Sequence, residues 1–410
     1  MTHATQGIDM QTLLMALFWT CAFFIVYHHA IYPMLLKWWA SRHPLPKAKQ
    51  VKLYQTDSCA ALPSITIVIP AYNEEKWIAD KIRNCAVLDY PRDKLEVVVI
   101  NDGSTDHTLT IAEETIQEAI CCDTLFRIID NKDNQGKVFR LNQHLAEITS
   151  DITCISDVSA LISIDALKLA AHHFQRSDVG VVNSTYQLLE QDERGESLYW
   201  RYQNQVKYSE STFGSTIGAH GALYFIRAEL FEALPYNTIN DDFIIPMNIV
   251  RRGYRAVYEP HMNAVEMESS STNQDFKRRL RISAGNMQQI IALLPLFAPQ
   301  HKGTALTFFS GKALRVLTPY LMLTCLITSA ILAPTSTLFT SFLFLQVALY
   351  GSVTISVLVP KLQSFKLVRA FTYLVVGHTA NLIGGLRYLI GLENGAWKRL
   401  PQQENEHEKG

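Results

Sequence analysis

The 410-residue sequence has no CxxC pair and no cysteine framework; its seven cysteines (21, 59, 85, 121, 122, 154 and 325) are scattered. That spacing excludes a disulfide scaffold and a thiolate zinc site, and suits free thiols in a reduced compartment. The formal net charge is only −1, so the basic footprint of a nucleic-acid binder is missing and no nucleic-acid partner is expected. The opening MTHATQGIDMQ contains no Lys or Arg, which excludes the basic start of a cleaved signal peptide. Internal repeats, low-complexity tracts and a recognisable regulatory domain are also missing.

Acidic residues are missing from Leu13 to Trp39, a run with a single basic residue near its end. Spanning the hydrocarbon of a bilayer takes roughly 20 apolar residues, so residues 1–40 read as a transmembrane anchor that is retained. Lys37, Arg42, Lys47, Lys49 and Lys52 follow it, and the positive-inside rule then puts the next segment in the cytoplasm. Three more apolar stretches lie at about 313–333, 338–360 and 367–392. Counting all of them as spans sends the basic residues around the last stretch to the wrong side, so that stretch is expected to re-enter or lie along the interface. The expected organisation is an anchor (1–40), a cytoplasmic domain (63–285), interfacial helices (286–312), a transmembrane region (313–395) and a polar tail (396–410). The expected location is a cell membrane, multi-pass, the bacterial inner membrane being the natural case.

Between the membrane parts, strands and helices alternate. SITIVIP (64–70) is a continuous β-branched run, as for a strand covered on both faces. LEVVVIND (95–102), LFRIID and DITCISD are the next strands, with helices near 74–84, 105–120 and 137–148 between them. Such alternation implies an α/β domain with a mostly parallel sheet, and a ligand site at the strand carboxyl ends. PAYNEE (70–75), NDGSTD (101–106) and SDVS (156–159) sit at those ends. Singly, each has a plain reading as a turn or a helix cap; three acidic strand ends facing one crevice are not explained by solubility.

ITIVIPAYNEEKWIADKIRNCAVLDYP, LEVVVINDGSTDHT and NQGKVFRLN together closely resemble the family 2 glycosyltransferases of the GT-A fold, in order and spacing over about residues 63–285. The flanking apolar segments resemble the membrane-bound, polysaccharide-synthase-like branch. The resemblance implies that Pro70, Asn73, Glu74 and Asp102 surround the nucleotide, and that Lys137, opening a helix after Gly136, meets the diphosphate. The plain alternative for Lys137 is a solvated first-turn lysine. Asp157 matches the first acid of the family's metal motif, and Ser159 stands where the second acid is expected. A hard cation such as Mg²⁺ or Mn²⁺ can use one carboxylate, diphosphate oxygens and waters, with Ser159 contributing through water. Against this stands Asp157 as a mere cap of the helix near Ile164.

NTINDDFIIPMNIVRRGYRAVYEP (237–260) resembles the catalytic-base segment, with Asp242 in register as base and Asp241 beside it; a solvated helix start is the alternative. GSTIGAHGALYFIRAELF (214–231) resembles the loop that closes over donor and acceptor, with His220 on sugar hydroxyls or simply structural. Processive relatives carry Gln-x-x-Arg-Trp, where this chain has Arg278, Arg281 and Ile282. Losing the aromatic removes a sugar platform, while Arg278, Arg279 and Arg281 favour phosphate oxygens or anionic headgroups. The expectation is an inverting transferase using a nucleotide-sugar, a UDP-sugar by the resemblance. It acts on a glycan or polyprenyl-linked acceptor, alongside other polysaccharide-assembly proteins. A processive synthase and a non-catalytic nucleotide-binding scaffold are the rivals.

Overall fold

A computed structural model describes residues 9–45, 62–189, 196–268 and 272–393. The apolar run at the start folds as α1 (Met10–Val26), a π-helical segment at Tyr27–Ile31, and α2 (Tyr32–Arg42). The described residues fall into two compact units. One draws on Leu36–Asp275 and Ala292–Ala305; the other on residues up to Leu35, Phe276–Ile291 and Leu306–Glu393.

In the first unit, SITIVIP and LEVVVIND fold as β1 (Ile65–Ala71) and β2 (Leu95–Asp102). Ile67, Ile69, Val97 and Ile100 are fully buried, because helices cover both faces of these central strands. β3 (Leu125–Asn131), β4 (Ile152–Ile155), β5 (Ala160–Ile162), β6 (Val179–Leu188), β7 (Tyr224–Arg227) and β8 (Arg255–Glu266) complete one sheet, in the order β3-β2-β1-β4-β7-β6-β8-β5. The pairings β1–β2, β1–β4, β2–β3 and β6–β8 are parallel, whereas β4–β7, β6–β7 and β5–β8 are antiparallel. The parallel part matches the strand–helix alternation read from the sequence. The antiparallel part comes from short β5 and β7, which too few residues announce.

Four helices connect the first strands: α3 (Ile78–Ala86), α4 (Thr108–Thr115), α5 (Lys137–Leu145) and α6 (Ala166–Phe174). α3 turns Ile78, Ile82, Cys85 and Ala86 inward, and α5 turns Val138, Leu141 and Leu145, the three-and-four spacing of an amphipathic helix. α7 (Glu196–Phe213) precedes β7 and α8 (Asp241–Arg251) precedes β8. β1 lies between β2 on one side and β4 on the other, so chain direction across the sheet reverses there. Ligand crevices form at such a switch point.

The second unit takes most of α9 (Thr272–Ala292) and, after α10 (Gly303–Thr307) and a π-helical segment at Phe308–Ala313, holds α11 (Leu314–Leu332), α12 (Thr337–Leu358) and α13 (Lys366–Leu389). Among the described residues three helices are long and apolar enough to cross a membrane: Met10–Arg42, Gly303–Thr335 and Thr337–Leu358. The second begins at Gly303, inside the stretch read from sequence as interfacial. α13 is an unbroken helix outside that set; Lys366, Arg369, His378 and Arg387 dilute its apolar character. α1 and α11 run antiparallel, since Gln11 bonds Thr335 (3.3 Å), Phe18 faces Cys325 and Tyr27 meets Ser310 (2.9 Å).

Candidate active site

β1 and β2 end level, with Ala71 opposite Asn101, and half-buried Pro70 lies opposite Ile100 near that end. Beyond them PAYNEE and NDGSTD bond each other. The Thr105 N–H donates to Asn73 Oδ1 (2.8 Å), Glu74 N–H to Thr108 Oγ1 (2.7 Å), and His107 N–H to Glu75 Oε2 (3.0 Å). Asn73 has φ +56°, a left-handed conformation that Asn tolerates better than most side chains. Asn73 and Glu74 thus sit at the expected strand end, and both hold the second loop against the first.

Asp102 is 2% exposed. Its oxygens accept from Gln135 N–H (3.0 Å), Gly136 N–H (2.7 Å) and Arg140 Nε (2.6 Å). The acid expected beside the nucleotide therefore also fixes the loop that opens α5. Gly103 is required here: its φ is +67°, and a Cβ would lie 2.7 Å from Asn134 N. Arg140, missed from the sequence as an unremarkable helix residue, is the buried cation of this arrangement.

Lys137, at the first turn of α5, is the centre of the site. Its Nζ donates to Asp157 Oδ1 at 2.9 Å and lies 3.2 Å from Asp241 Oδ2. Burial pulls the Lys137 ammonium down, but Asp157, Asp241 and Asp242 together hold it above the ordinary lysine range. Burial likewise raises Asp157, and Lys137, His220 and Lys81 outweigh it, so its carboxyl stays below the usual range. The side chain of Lys137 is 15% exposed, which disposes of the solvated-lysine reading. Asp241 is buried and makes no side-chain cap at the start of α8, so the cap reading fails there too. Asp157 does not cap a helix either: α6 begins at Ala166, after Asp165.

Ser159 has an unforeseen partner. Its side chain lies beside that of Glu266 at the end of β8, while its carbonyl accepts from Met267 N–H at 2.8 Å. Burial pushes the Glu266 carboxyl up to about 7, and Asp157 adds to this against the pull of Ser159. A carboxylate thus stands behind the serine that occupies the second acid position. Nothing local in the sequence marks it, because the two residues meet only through the β5–β8 pairing of Ala160 with Glu266. Beneath the loop lies Lys81, fully buried, donating to Ser156 Oγ (2.6 Å) and Ala160 O (2.5 Å). Ser156 in turn donates to Ala222 O at 2.5 Å.

The closing loop is tied from α7: Lys207 Nζ donates to Gly218 O (3.0 Å). Gly221 meets Asp157, since a Cβ on it would lie 2.7 Å from Asp157 Oδ2. His220 stacks on Tyr186 at 3.8 Å and meets the Trp200 ring edge-on at 4.9 Å. Tyr224, also unforeseen, is fully buried with no hydrogen-bond partner for its hydroxyl among the described residues. Burial and the charges of Asp241, Asp242 and Asp157 raise it well above the ordinary tyrosine value. Arg278, Arg279 and Arg281 belong to the second unit. Arg278 is exposed there, Arg281 is half-buried, and the Arg279 guanidinium lies 5.1 Å from the Tyr373 ring centre.

A hard divalent cation fits the donor set, which is all oxygen: the Asp157 carboxylate, 40% exposed, and the Ser159 hydroxyl backed by Glu266. Among the described residues Asp241 Oδ2 is buried without a hydrogen bond and lies 3.2 Å from the Lys137 charge. No group of three or more His, Cys, Asp or Glu among the described residues makes a protein-only metal cage, so substrate oxygens and waters would complete the shell of any cation held here.

A mixed α/β sheet with acidic strand ends gathered at its β1/β4 switch point is a GT-A-type architecture. The sequence profile described as "Glycosyltransferase like family 2" matches residues 63–285, more than half the chain, and the chain belongs to that family. It is 25% identical over 280 residues to "Probable glycosyltransferase YdaM" of Bacillus subtilis (strain 168), covering 65% of each chain. It is 24% identical over 238 residues to poly-beta-1,6-N-acetyl-D-glucosamine synthase of Staphylococcus aureus (strain COL), covering 56% of each. The matches therefore span somewhat more than half the length of these relatives. Among solved structures it resembles the mannosyltransferase PcManGT from Pyrobaculum calidifontis, in complex with GDP-Man and Mn²⁺, with TM-score 0.66 and 23% identity over 92% of this chain and 99% of that one; that likeness concerns the fold.

Proposed function

We propose that the protein is a membrane-bound inverting glycosyltransferase, moving a sugar from a nucleotide-sugar to a glycan or lipid-linked acceptor in cell-envelope polysaccharide synthesis. The observation that carries this is the meeting of Asp157 (2.9 Å) and Asp241 (3.2 Å) at the Lys137 ammonium, with Asp242 next in the chain, at the switch point of the sheet. The likeness to a poly-N-acetylglucosamine synthase supports a polysaccharide product, and a UDP-sugar is the donor this reading prefers. Ile282 in place of the acceptor-stacking aromatic favours single addition over processive synthesis.

In this reading Lys137 leaves its carboxylate partners to bond the donor's diphosphate oxygens, assisted by the amino end of α5. Asp242 accepts the proton of the acceptor hydroxyl as that oxygen attacks the anomeric carbon. The bond from the anomeric carbon to the diphosphate breaks with its electron pair on the leaving oxygen, and configuration inverts. Asp241 steadies Lys137, and His220 with its aromatic neighbours walls the sugar. Asp157 and Ser159, with Glu266 behind, would hold Mg²⁺ or Mn²⁺, which when bound neutralises the leaving diphosphate.

The test is nucleotide release by the full chain in nanodiscs from a panel of UDP-, GDP- and dTDP-sugars, with Mg²⁺ or Mn²⁺ and after chelation. Cation-dependent release from one donor, lost in Asp242→Asn while donor binding persists, is expected. Donor binding without release under every condition, acceptor lipids included, would replace this reading with a nucleotide-binding scaffold.

A further inference from the structure

One cavity of the first unit is used by none of the proposed steps. It measures about 400 Å³ and lies between the carboxyl end of β6, α7 and β8, and small-molecule sites measure about 300–1,000 Å³. Trp200, Asn204 and Tyr208 recur every four residues along α7, so one face of that helix meets the cavity. Asn204 pins this face to the sheet: its Nδ2 donates to Tyr186 O (2.8 Å), and its Oδ1 accepts from Tyr186 N–H (3.4 Å). Tyr186, Tyr199 and His220 meet the Trp200 ring at 4.4, 5.2 and 4.9 Å between centres, with interplanar angles of 59°, 71° and 79°. The indole is thus held from several sides, yet it is only half-buried. Its Nε1 is buried with no hydrogen-bond partner among the described residues, although a buried indole N–H normally finds an acceptor.

The cavity borders the candidate active site. β4 and β6 both run antiparallel to β7, where Tyr224 pairs with Ile155 on one side and Asn183 on the other. β4 and β6 therefore point the same way. Asp157 lies two residues beyond Ile155 and Tyr186 three beyond Asn183, so both approach the same end of the sheet, on strands about 10 Å apart. His220 lies between them. Its ring stacks on Tyr186 at 3.8 Å. On one side of it in the chain, Ala219 N–H donates to Asp242 O (3.0 Å); on the other, Gly221 O accepts from Asp157 N–H (3.2 Å).

The lining suits a neutral, polyhydroxylated ligand. Among the described residues around the cavity there is no Asp or Glu, and exposed Arg201 is the one full charge. Trp200 and Tyr208, both half-buried, offer apolar ring surface with one polar atom each. Gln187 and Gln205, both exposed, offer amides that donate and accept. A pyranose has the matching chemistry, with a C–H face for a ring and hydroxyls at its edge for amides and an indole N–H. We propose that this cavity seats a pyranose of the acceptor glycan against Trp200, supplying the aromatic platform that the sequence lacks at Ile282. The proposal rests on the transferase reading for the ligand's role as acceptor, whereas sugar binding itself needs no donor turnover.

The test is saturation-transfer difference NMR on the full chain in nanodiscs. The probes are glucose, galactose, mannose and N-acetylglucosamine, each as the monosaccharide and as a tetrasaccharide. At least one probe is expected to bind. Trp200→Ala lowers its affinity at least about tenfold, and Trp200→Phe, which keeps a ring and drops the N–H, lowers it several-fold. Ile120→Ala, exposed and outside the cavity, leaves it unchanged. Should Trp200→Ala fail to fold, the exposed pair Gln187→Ala with Gln205→Ala carries the decision, with a several-fold loss expected. Binding of no probe by the parent, or parental affinity in the deciding variant, overturns the site. Nucleotide release by the same preparation separates the two readings. A parent that turns over donor and binds no probe loses the cavity and keeps the transferase; one that binds a probe through Trp200 without ever releasing nucleotide keeps the sugar site and loses the transferase.

Discussion

Replacing Lys81 with Met separates stability from activity. Lys81 is fully buried, and its Nζ reaches only neutral acceptors, Ser156 Oγ at 2.6 Å and Ala160 O at 2.5 Å. Hydrogen bonds from a charged donor contribute about 1.5–3 kcal/mol each, so the substitution forfeits about 3–6 kcal/mol. Withdrawing an ammonium from water costs several kcal/mol even after relaxation, and that cost disappears. Burial drives Lys81 below the ordinary lysine range even though Cys85, Cys154, Asp157 and Glu266 pull the other way, so desolvation is the larger effect. Lys81→Met is therefore expected to be neutral or stabilising by up to about 2 kcal/mol, a rise of at most about 8 °C in thermal midpoint. Activity responds differently, because Ser156 and Ala160 bracket the Asp157–Ser159 loop. A shift of about 1 Å at a reacting centre costs about a hundredfold, which is the expected fall in kcat/KM. Thermal unfolding in detergent and donor turnover, measured on the same preparation, check both. A lowered midpoint would refute the desolvation argument, and unchanged turnover would refute the positioning role.

Gly103→Ala forces a side chain into left-handed backbone and against Asn134 N, where a Cβ would stand at 2.7 Å. A loss of about 2–3 kcal/mol in stability and weaker nucleotide binding by calorimetry are expected. Glu266→Gln should weaken Mn²⁺-dependent binding of a nucleoside diphosphate by about ten- to a hundredfold, as loss of a group behind a metal ligand does. Adding Ser159→Asp should restore it, read by electron paramagnetic resonance of free Mn²⁺. Burial raises Glu259, but His173 at 2.7 Å and the His261 N–H at 2.9 Å bring it below the ordinary glutamate value. A carboxyl depressed on folding stabilises above its unfolded pKa of about 4.3, and that stabilisation is lost as pH falls through the folded value. The stability gap between the parent and Glu259→Gln should thus be full at pH 7 and close in acid, as denaturant titrations would report.

The parts of the molecule written in consecutive residues were legible. SITIVIP and LEVVVIND announced central strands, because burial on both faces leaves no polar alternation. Asp157, Asp241 and Lys137 stand out in the sequence because each follows a strand end or opens a helix, and the structure brings the three together. Hidden from sequence was whatever depends on two distant segments meeting. Glu266 lies 107 residues beyond Ser159, and only the β5–β8 pairing brings them together. Lys81 occupies the inward face of α3 among apolar residues, where periodicity alone reads it as a charged interruption. Asp102 shows the opposite error: its strand-end position was read correctly, but the bonds to Gly136 and Arg140 could not be seen, and they make it a support for Lys137's helix as well.

The serine at 159 also has an electrostatic logic. Around Lys137 stand three carboxylates, Asp157, Asp241 and Asp242, with Glu266 next to Ser159. Lys137, with Lys81 further off, therefore already faces more negative charges than it can balance before any diphosphate arrives. A donor diphosphate brings about two further negative charges, and in a site of low effective dielectric each like-charge pair at about 4 Å costs about 4 kcal/mol. In the proposed reading, binding would call for added positive charge, and a divalent cation held by Asp157 would be the economical source. A second aspartate at 159 would deepen the negative well beside Glu266, whereas a hydroxyl supplies an oxygen with no charge. In the proposed reading Ser159 would compensate for Glu266, and Asp, Asn and Ser at this position should be ranked by cation affinity only in pairs with Glu or Gln at 266.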